Sequence, residues 1–239
     1  MRAFLTWWFR FFTRIGVWPR DLPVFLGAFR QRRHWHPPAE VWAAVDSVHG
    51  FMSIQECGLL YRAARFWPVA GPVIELGSYK GRSTTLLALA GRQVHAVDAW
   101  SPATYRPTAL GAFFKPSDEV LAEFQANVQR MGVAEHVSVH RGLTTEVAQG
   151  WQTSCAILFI DAGHDYASVR GDLDAWTPHL LPGGVLLLHD TFSDRYVGVL
   201  QAAGELLKSG WAIVASSGTL VALVRQDTAR HVTPAYFGA

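Results

Sequence analysis

From residue 72 onward the chain alternates short apolar runs with longer amphipathic segments, and three of those runs lead into an aspartate. Residues 72–77 (PVIELG), 93–98 (QVHAVD), 137–141 (VSVHR), 155–160 (CAILFI) and 185–189 (VLLLH) read as strands, and 82–90, 117–131, 165–180 and 196–208 read as helices. A parallel pair of strands needs a crossover long enough to hold a helix, and a strand covered on both faces is apolar at every position. The pattern therefore dictates an α/β fold, a mostly parallel sheet with helices on both sides. Runs at 211–216 and 219–224 lie too close together for a crossover and pair as a hairpin. Ser53-Ile-Gln-Glu56 is a capping box that opens a further helix, to about Phe66 ahead of Pro68. In the helix over 165–180, Val169, Leu173, Trp176 and Leu180 make one buried stripe, and Pro182-Gly183-Gly184 turns the chain into the next strand.

The 239 residues are 50% hydrophobic and 17% charged, which excludes a disordered chain, collagen and a coiled coil. The net charge of +2 is unevenly spread, because residues 1–36 carry seven Arg and one Asp. Residues 37–239 are thus mildly acidic, which argues against a nucleic-acid partner. The same contrast divides the chain into a basic, aromatic extension (1–36) and an α/β domain (37–239). Within the extension, residues 2–15 read as a helix with Arg2, Arg10 and Arg14 on one side and Phe4, Trp7, Trp8 and Phe11 among those on the other. That composition suits a helix lying in the plane of a membrane surface, or a face docked on the protein's own body or on a second copy in a homo-oligomer. Pro19, Pro23 and Pro37-Pro38 punctuate the stretch that follows, read as short helical pieces and linker. No apolar run spans a bilayer and no signal-peptide pattern is present, so a cytoplasmic protein is expected, on the inner face of a membrane if the helix binds lipid. Cys57 and Cys155 read as buried, reduced thiols.

Ligands of such sheets bind outside the carboxyl ends of the strands. The first strand runs there into IELGSYKGRS, residues 74–83, and the helix that follows offers free N–H groups to an anion. Gly77 and Gly81 allow a close backbone approach to a ligand. The spacing is G-x-x-x-G, whereas a dinucleotide site uses G-x-G-x-x-G. Tyr79 crowds the place of a pyrophosphate, so a carboxylate fits better, and a nicotinamide-dependent oxidoreductase is disfavoured. Asp98, 21 residues after Gly77 at the end of the second strand, is suited to ribose hydroxyls. The alternative for this set is a tight turn with a capping Asp.

ELGSYKGRS, together with DAGHDY at 161–166 and PGGVLLLHDT at 182–191, resembles the class I S-adenosylmethionine-dependent methyltransferases. It is especially similar to the catechol O-methyltransferase-like, methyltransferase domain 24 group, over roughly residues 53–224. The resemblance implies a Rossmann-like, doubly wound, mostly parallel seven-stranded sheet with an antiparallel C-terminal hairpin strand. It also implies S-adenosylmethionine as cofactor. Glu75, Gly77, Tyr79, Gly81 and Ser83 would line its methionine end, with Ser83 at the carboxylate. Asp98 would hold the ribose, and Gly142, Leu143 and Thr144 would lie beside the adenine, with Trp100 a further stacking candidate.

Two more strands lead into Asp161 and into His189-Asp190, and His164 follows Asp161 by three residues. Carboxylates and imidazoles gathered at one sheet edge are a candidate divalent-metal site, whose ion would act as a Lewis acid. The resembled group has D-x-x-K and D-N segments, and here they are Asp161-x-x-His164 and Asp190-Thr191. The expected ligands are Asp161, His189 and Asp190, for Mg²⁺ or Mn²⁺, with His164 the alternative for the third place and otherwise the general base beside Asp161. Hydrogen-bonded structural roles are the alternative for His189 and for either Asp. The expected reaction is methyl transfer to a hydroxylated small molecule, a sugar, glycoconjugate or phenol. Its selection falls to the loop at 99–116, which carries Tyr105, Arg106, Phe113, Phe114 and Lys115. The competing reading from another class is a non-catalytic, membrane-associated module that keeps the cofactor-binding fold.

Overall fold

The computed structural model describes residues 34–101, 117–193 and 195–238. The helix expected over 2–15 and the loop residues Tyr105, Arg106, Phe113, Phe114 and Lys115 lie outside the described residues.

The apolar runs become β1 (Val73–Leu76), β2 (Val94–Asp98), β3 (Val137–Arg141), β4 (Cys155–Ile160), β5 (Leu180–Leu188), β6 (Trp211–Ser217) and β7 (Leu220–Arg225). They form one seven-stranded sheet in the order β3-β2-β1-β4-β5-β7-β6. β1 through β5 run parallel, and β7 enters antiparallel between β5 and β6. Because β1 pairs with both β2 and β4, the winding reverses beside it, and a crevice opens at the carboxyl ends of β1 and β4. This is the doubly wound, Rossmann-like arrangement expected, with its antiparallel hairpin.

Eight α-helices pack around this sheet among the described residues: α1 (Ala39–Asp46), α2 (Ile54–Phe66), α3 (Arg82–Leu89), α4 (Ser117–Arg130), α5 (Thr144–Val147), α6 (Tyr166–Trp176), α7 (Val197–Lys208) and α8 (Gln226–Ala229). The central strand β4 shows why two apolar layers result. Ile157 and Phe159 point into a cluster with Leu59, Leu60, Leu86 and Phe124, whereas Leu158 and Ile160 point into one with Leu173, Trp176 and Ala203. Each such side chain, fully buried, contributes about 1.5–3 kcal/mol. Cys57 and Cys155 are buried and unpaired with each other. No helix among the described residues is long and apolar enough to cross a membrane.

α2 begins with the expected capping box, Ser53 Oγ accepting the Glu56 N–H at 3.3 Å while the Ser53 N–H donates to Glu56 Oε2 at 2.7 Å. Two expectations need correction. The helix over 165–180 ends at Trp176; Thr177–His179 make one 3-10 turn around Pro178, and Leu180 opens β5. Pro182-Gly183-Gly184 is therefore the irregular first half of β5, where the register against β4 shifts between Cys155 and Ile157. α1, in contrast, is a short helical piece of the kind expected around the prolines, with Pro38 as its N-cap, a position where no backbone N–H is needed.

Candidate active site

β1 carries Glu75 and Gly77 to the carboxyl edge of the sheet. Gly77 has φ +88°, and a Cβ there would lie 2.2 Å from the carbonyl oxygen of Asp161. Gly81, with φ +89°, is the N-cap of α3, and its Cβ would lie 3.0 Å from the Phe124 ring. The close approaches these glycines allow are thus to the end of β4 and to α4, where the sequence suggested room for a ligand.

Asp98 ties the turn to β2. Its Oδ2 accepts the N–H groups of Ser78 (3.0 Å) and Tyr79 (2.9 Å), and its Oδ1 accepts that of Trp100 (2.7 Å). Tyr79 (φ +46°) and Trp100 (φ +38°) both take left-handed backbone, which these bonds and the Trp100 Nε1–H donated to the Tyr79 carbonyl (2.8 Å) hold in place. The Trp100 ring is wholly buried against Phe124, so it belongs to the core and is no adenine platform.

Glu75 lies wholly buried under the turn. Its Oε2 accepts the hydroxyls of Ser78 (2.8 Å) and Thr84, while Oε1 has no hydrogen-bond partner among the described residues. Burial pushes its carboxyl up to about 7, against the pull of the Ser83, Thr84 and Ser78 hydroxyls. Ser83 is the second residue of α3 and is buried. Thr144 opens α5 just after β3; its hydroxyl donates to Asp172, and its carbonyl accepts the Trp176 Nε1–H at 3.1 Å.

β4 and β5 supply the second half of the site. His164 Nε2 lies 3.0 Å from Asp190 Oδ2 and 3.5 Å from Asp161 Oδ1. His189 Nδ1 lies 3.0 Å from Asp161 Oδ1 and 3.5 Å from Asp190 Oδ2. Each carboxylate therefore faces both imidazoles. The His164 ring also packs on Tyr196, centroids 4.3 Å apart. Burial opposes charge at all four groups, but the opposite charges outweigh it. His164 is raised to about 9, His189 stands well above the ordinary imidazole value, and Asp161 and Asp190 are held below the usual carboxylate range.

Ligand atoms of Asp161, His164 and Asp190 all lie within 4.8 Å of one another. Donors on opposite sides of one small divalent cation stand about 4–5 Å apart, so these three residues fit such an ion. One imidazole with two carboxylates suits Mn²⁺, Fe²⁺ or Zn²⁺. His189 stands outside this group, its ring closed in between Asp161 and Glu56. Of the two histidines weighed as third ligand, His164 is the one whose ring nitrogen groups with both carboxylates. Sequence reasoning missed Tyr196, for which no local signal exists, and read Glu56 only as a helix cap.

The strand order, the glycine turn at the end of β1 and the aspartate at the end of β2 together define a class I S-adenosylmethionine-dependent methyltransferase architecture. Residues 74–191 match the model of the family described as a methyltransferase domain, the domain 24 family. Among solved structures it is similar to the O-methyltransferase NovP, at 18% identity over 74% of this chain and 82% of that one, with a TM-score of 0.61. An O-methyltransferase from Bacillus cereus in complex with SAH shares 17% identity over 79% and 92%, TM-score 0.54. TomG from Streptomyces achromogenes, an O-methyltransferase involved in tomaymycin synthesis and solved with SAM, shares 14% over 80% and 91%, TM-score 0.56. At such identities the likeness is one of fold.

Proposed function

We propose that the protein moves the methyl group of S-adenosylmethionine to a hydroxyl of a small-molecule acceptor that docks against Asp161, His164 and Asp190. The observation that carries this reading is the His164 imidazole, set between two carboxylates at the same sheet edge as the glycine turn. When bound, S-adenosylmethionine supplies an electrophilic methyl on a sulfonium. Glu75 and Ser83, under and after the turn, would hold its methionine end, Asp98 its ribose and Thr144 its adenine edge. A divalent cation on Asp161, His164 and Asp190 would supply Lewis acidity that eases removal of the acceptor proton. Without a cation, Asp161 and Asp190 hold a proton on His164 Nε2 up to about pH 9, so the imidazole becomes a base for the acceptor proton only as it loses that proton at alkaline pH. Nε2 serves one of these roles at a time, and a Mn²⁺ titration of the folded protein decides which. Tyr196, packed on the His164 ring, limits its rotation.

Calorimetric titration with S-adenosylmethionine tests the cofactor half. Wild type binds, and Asp98→Asn weakens binding by about tenfold or more, the loss expected for one hydrogen bond to a charged group. Transfer of labelled methyl to a panel of phenols and sugars tests the rest, with Asp161→Ala as the inactive control. A folded wild type that binds no S-adenosylmethionine sinks the proposal. For the extension, an anionic membrane surface is the proposed partner of residues 2–15. Vesicles of anionic lipid should retain the full chain and salt should weaken that retention, whereas equal behaviour with neutral vesicles would refute it.

A further inference from the structure

The capping box occupies only one of the two carboxylate oxygens of Glu56. Oε2 accepts the Ser53 N–H at 2.7 Å and the Ser53 hydroxyl at 2.8 Å. Oε1 faces the opposite way, to the turn between β6 and β7, where it accepts the Thr219 N–H at 2.7 Å and the Thr219 hydroxyl at 2.8 Å. The same oxygen lies 3.6 Å from His189 Nε2, with both side chains more than nine-tenths buried. Among the described residues, Nε2 has no hydrogen-bond partner. His189 thus has a carboxylate at each end of its ring, Asp161 at 3.0 Å from Nδ1 and Glu56 at the longer, ion-pair distance of 3.6 Å from Nε2.

A helix start requires none of this. A capping glutamate in the first turn of a helix works from the surface, and burying its carboxylate is costly unless an opposite charge or several donors face it. The surroundings are shaped for that second oxygen. A Cβ at Gly218 (φ +58°) would lie 2.4 Å from Glu56 Oε1, so a side chain there would push that oxygen from its place. The Thr219 hydroxyl has one proton and two carboxylates in reach, Glu56 Oε1 at 2.8 Å and Asp190 Oδ1 at 3.4 Å, and the shorter contact takes it. Ser217 Oγ donates to the Gln55 carbonyl at 2.9 Å and fastens the same turn to the same helix start.

We propose that Glu56 is a positioning residue of the Asp161–His164–Asp190 site, which by holding the far side of the His189 ring sets where the two aspartate carboxylates stand. The inference rests on the proposed role of that site and makes the first turn of α2 its third component, beside the ends of β4 and β5.

The test titrates Mn²⁺ alone into wild type, Glu56→Gln, Glu56→Asp and Ser53→Ala, following free ion by electron paramagnetic resonance. Loss of an outer partner of a ligating group lowers metal affinity by about 10–100-fold, and Glu56, one contact further out behind His189, is expected at or below the low end of that range in Glu56→Gln. Ser53→Ala removes the cap hydroxyl but leaves Oε1 on His189, so its Mn²⁺ affinity stays at the wild-type value. A second measurement needs no metal: ring-nitrogen spectra of histidine-labelled protein, in which Glu56→Gln moves the signals of His189 and of His164 beyond it, and Ser53→Ala moves neither. If Glu56→Gln does not fold, Glu56→Asp, which keeps the charge on a shorter arm, shows the same displaced signals to a smaller degree. Unmoved His164 signals with unchanged Mn²⁺ affinity overturn the proposal, as does Ser53→Ala losing as much as Glu56→Gln. A wild type that takes up no Mn²⁺ removes the metal reading alone, and the His164 signals then decide.

Discussion

Glu75 and Asp161 stand at the carboxyl ends of neighbouring strands, joined through the Asp161 N–H donated to the Leu76 carbonyl at 2.8 Å. Their carboxylates nevertheless behave in opposite ways. Among the described residues Glu75 has only hydroxyl donors around it, and burial wins, lifting it to about 7. Asp161 also feels burial, but His189 and His164 face it, and it stays below the usual carboxylate range. A neutral hydrogen bond contributes about 1 kcal/mol, too little to offset loss of hydration around a buried charge, whereas a facing cation offsets it. Position at the edge of the sheet therefore does not set the charge; the partner does. Glu75 becomes an easily neutralised anchor for the turn, and Asp161 a standing anion able to meet a cation or a proton.

The hinge between the two regions is the place to break them apart. Gly77→Ala would drive a methyl group into the Asp161 carbonyl from a left-handed backbone, with an expected loss of about 3–5 kcal/mol in urea unfolding. An unchanged midpoint would show that β1 and β4 can separate at no cost.

The next effect isolates Glu75. Its folded value lies above the unfolded one, so the folded state binds the proton more tightly, and wild-type stability falls as pH rises from 4.5 to about 7. Glu75→Gln lacks that fall, and its stability relative to wild type should improve by about 3 kcal/mol between pH 4 and pH 8. A constant gap would mean Glu75 is ionised throughout.

His164 gives the opposite sign. Its raised value means a stabilising contribution present in full below 6.5 and lost as pH rises through about 9. In EDTA-treated protein, wild type should lose about 2 kcal/mol across that window, an allowance being made for its partial exposure, and His164→Gln should not. Identical pH profiles would remove the pairing with Asp161 and Asp190. The smallest expected effect couples the two regions. The Asp161 charge helps to raise Glu75, so Asp161→Asn should move the Glu75 step to lower pH, by less than about one unit. No movement would make the two carboxylates electrically independent.

Much of this was legible beforehand. Ser53 and Glu56 announce α2, the five parallel strands fall within a residue or two of their apolar runs except at β5, and strand-end aspartates converge because parallel strands share one carboxyl edge. β5 was misjudged because a Pro-Gly-Gly run carries a turn signal that pairing with β4 overrides. Trp100 looked like a loop aromatic until the left-handed backbone turned it onto Phe124.

By itself, the sequence determined the alternation of strand and helix, the glycine turn and the set of carboxylates and imidazoles at the edge, because these depend on local periodicity and on residue type. Only the tertiary structure decided which histidine faces outward between two aspartates, which is closed in, and that a helix-capping glutamate reaches His189. Residues 56, 189 and 219 share no periodicity, and the direction of each side chain follows from the packing of α2 against the β6–β7 turn.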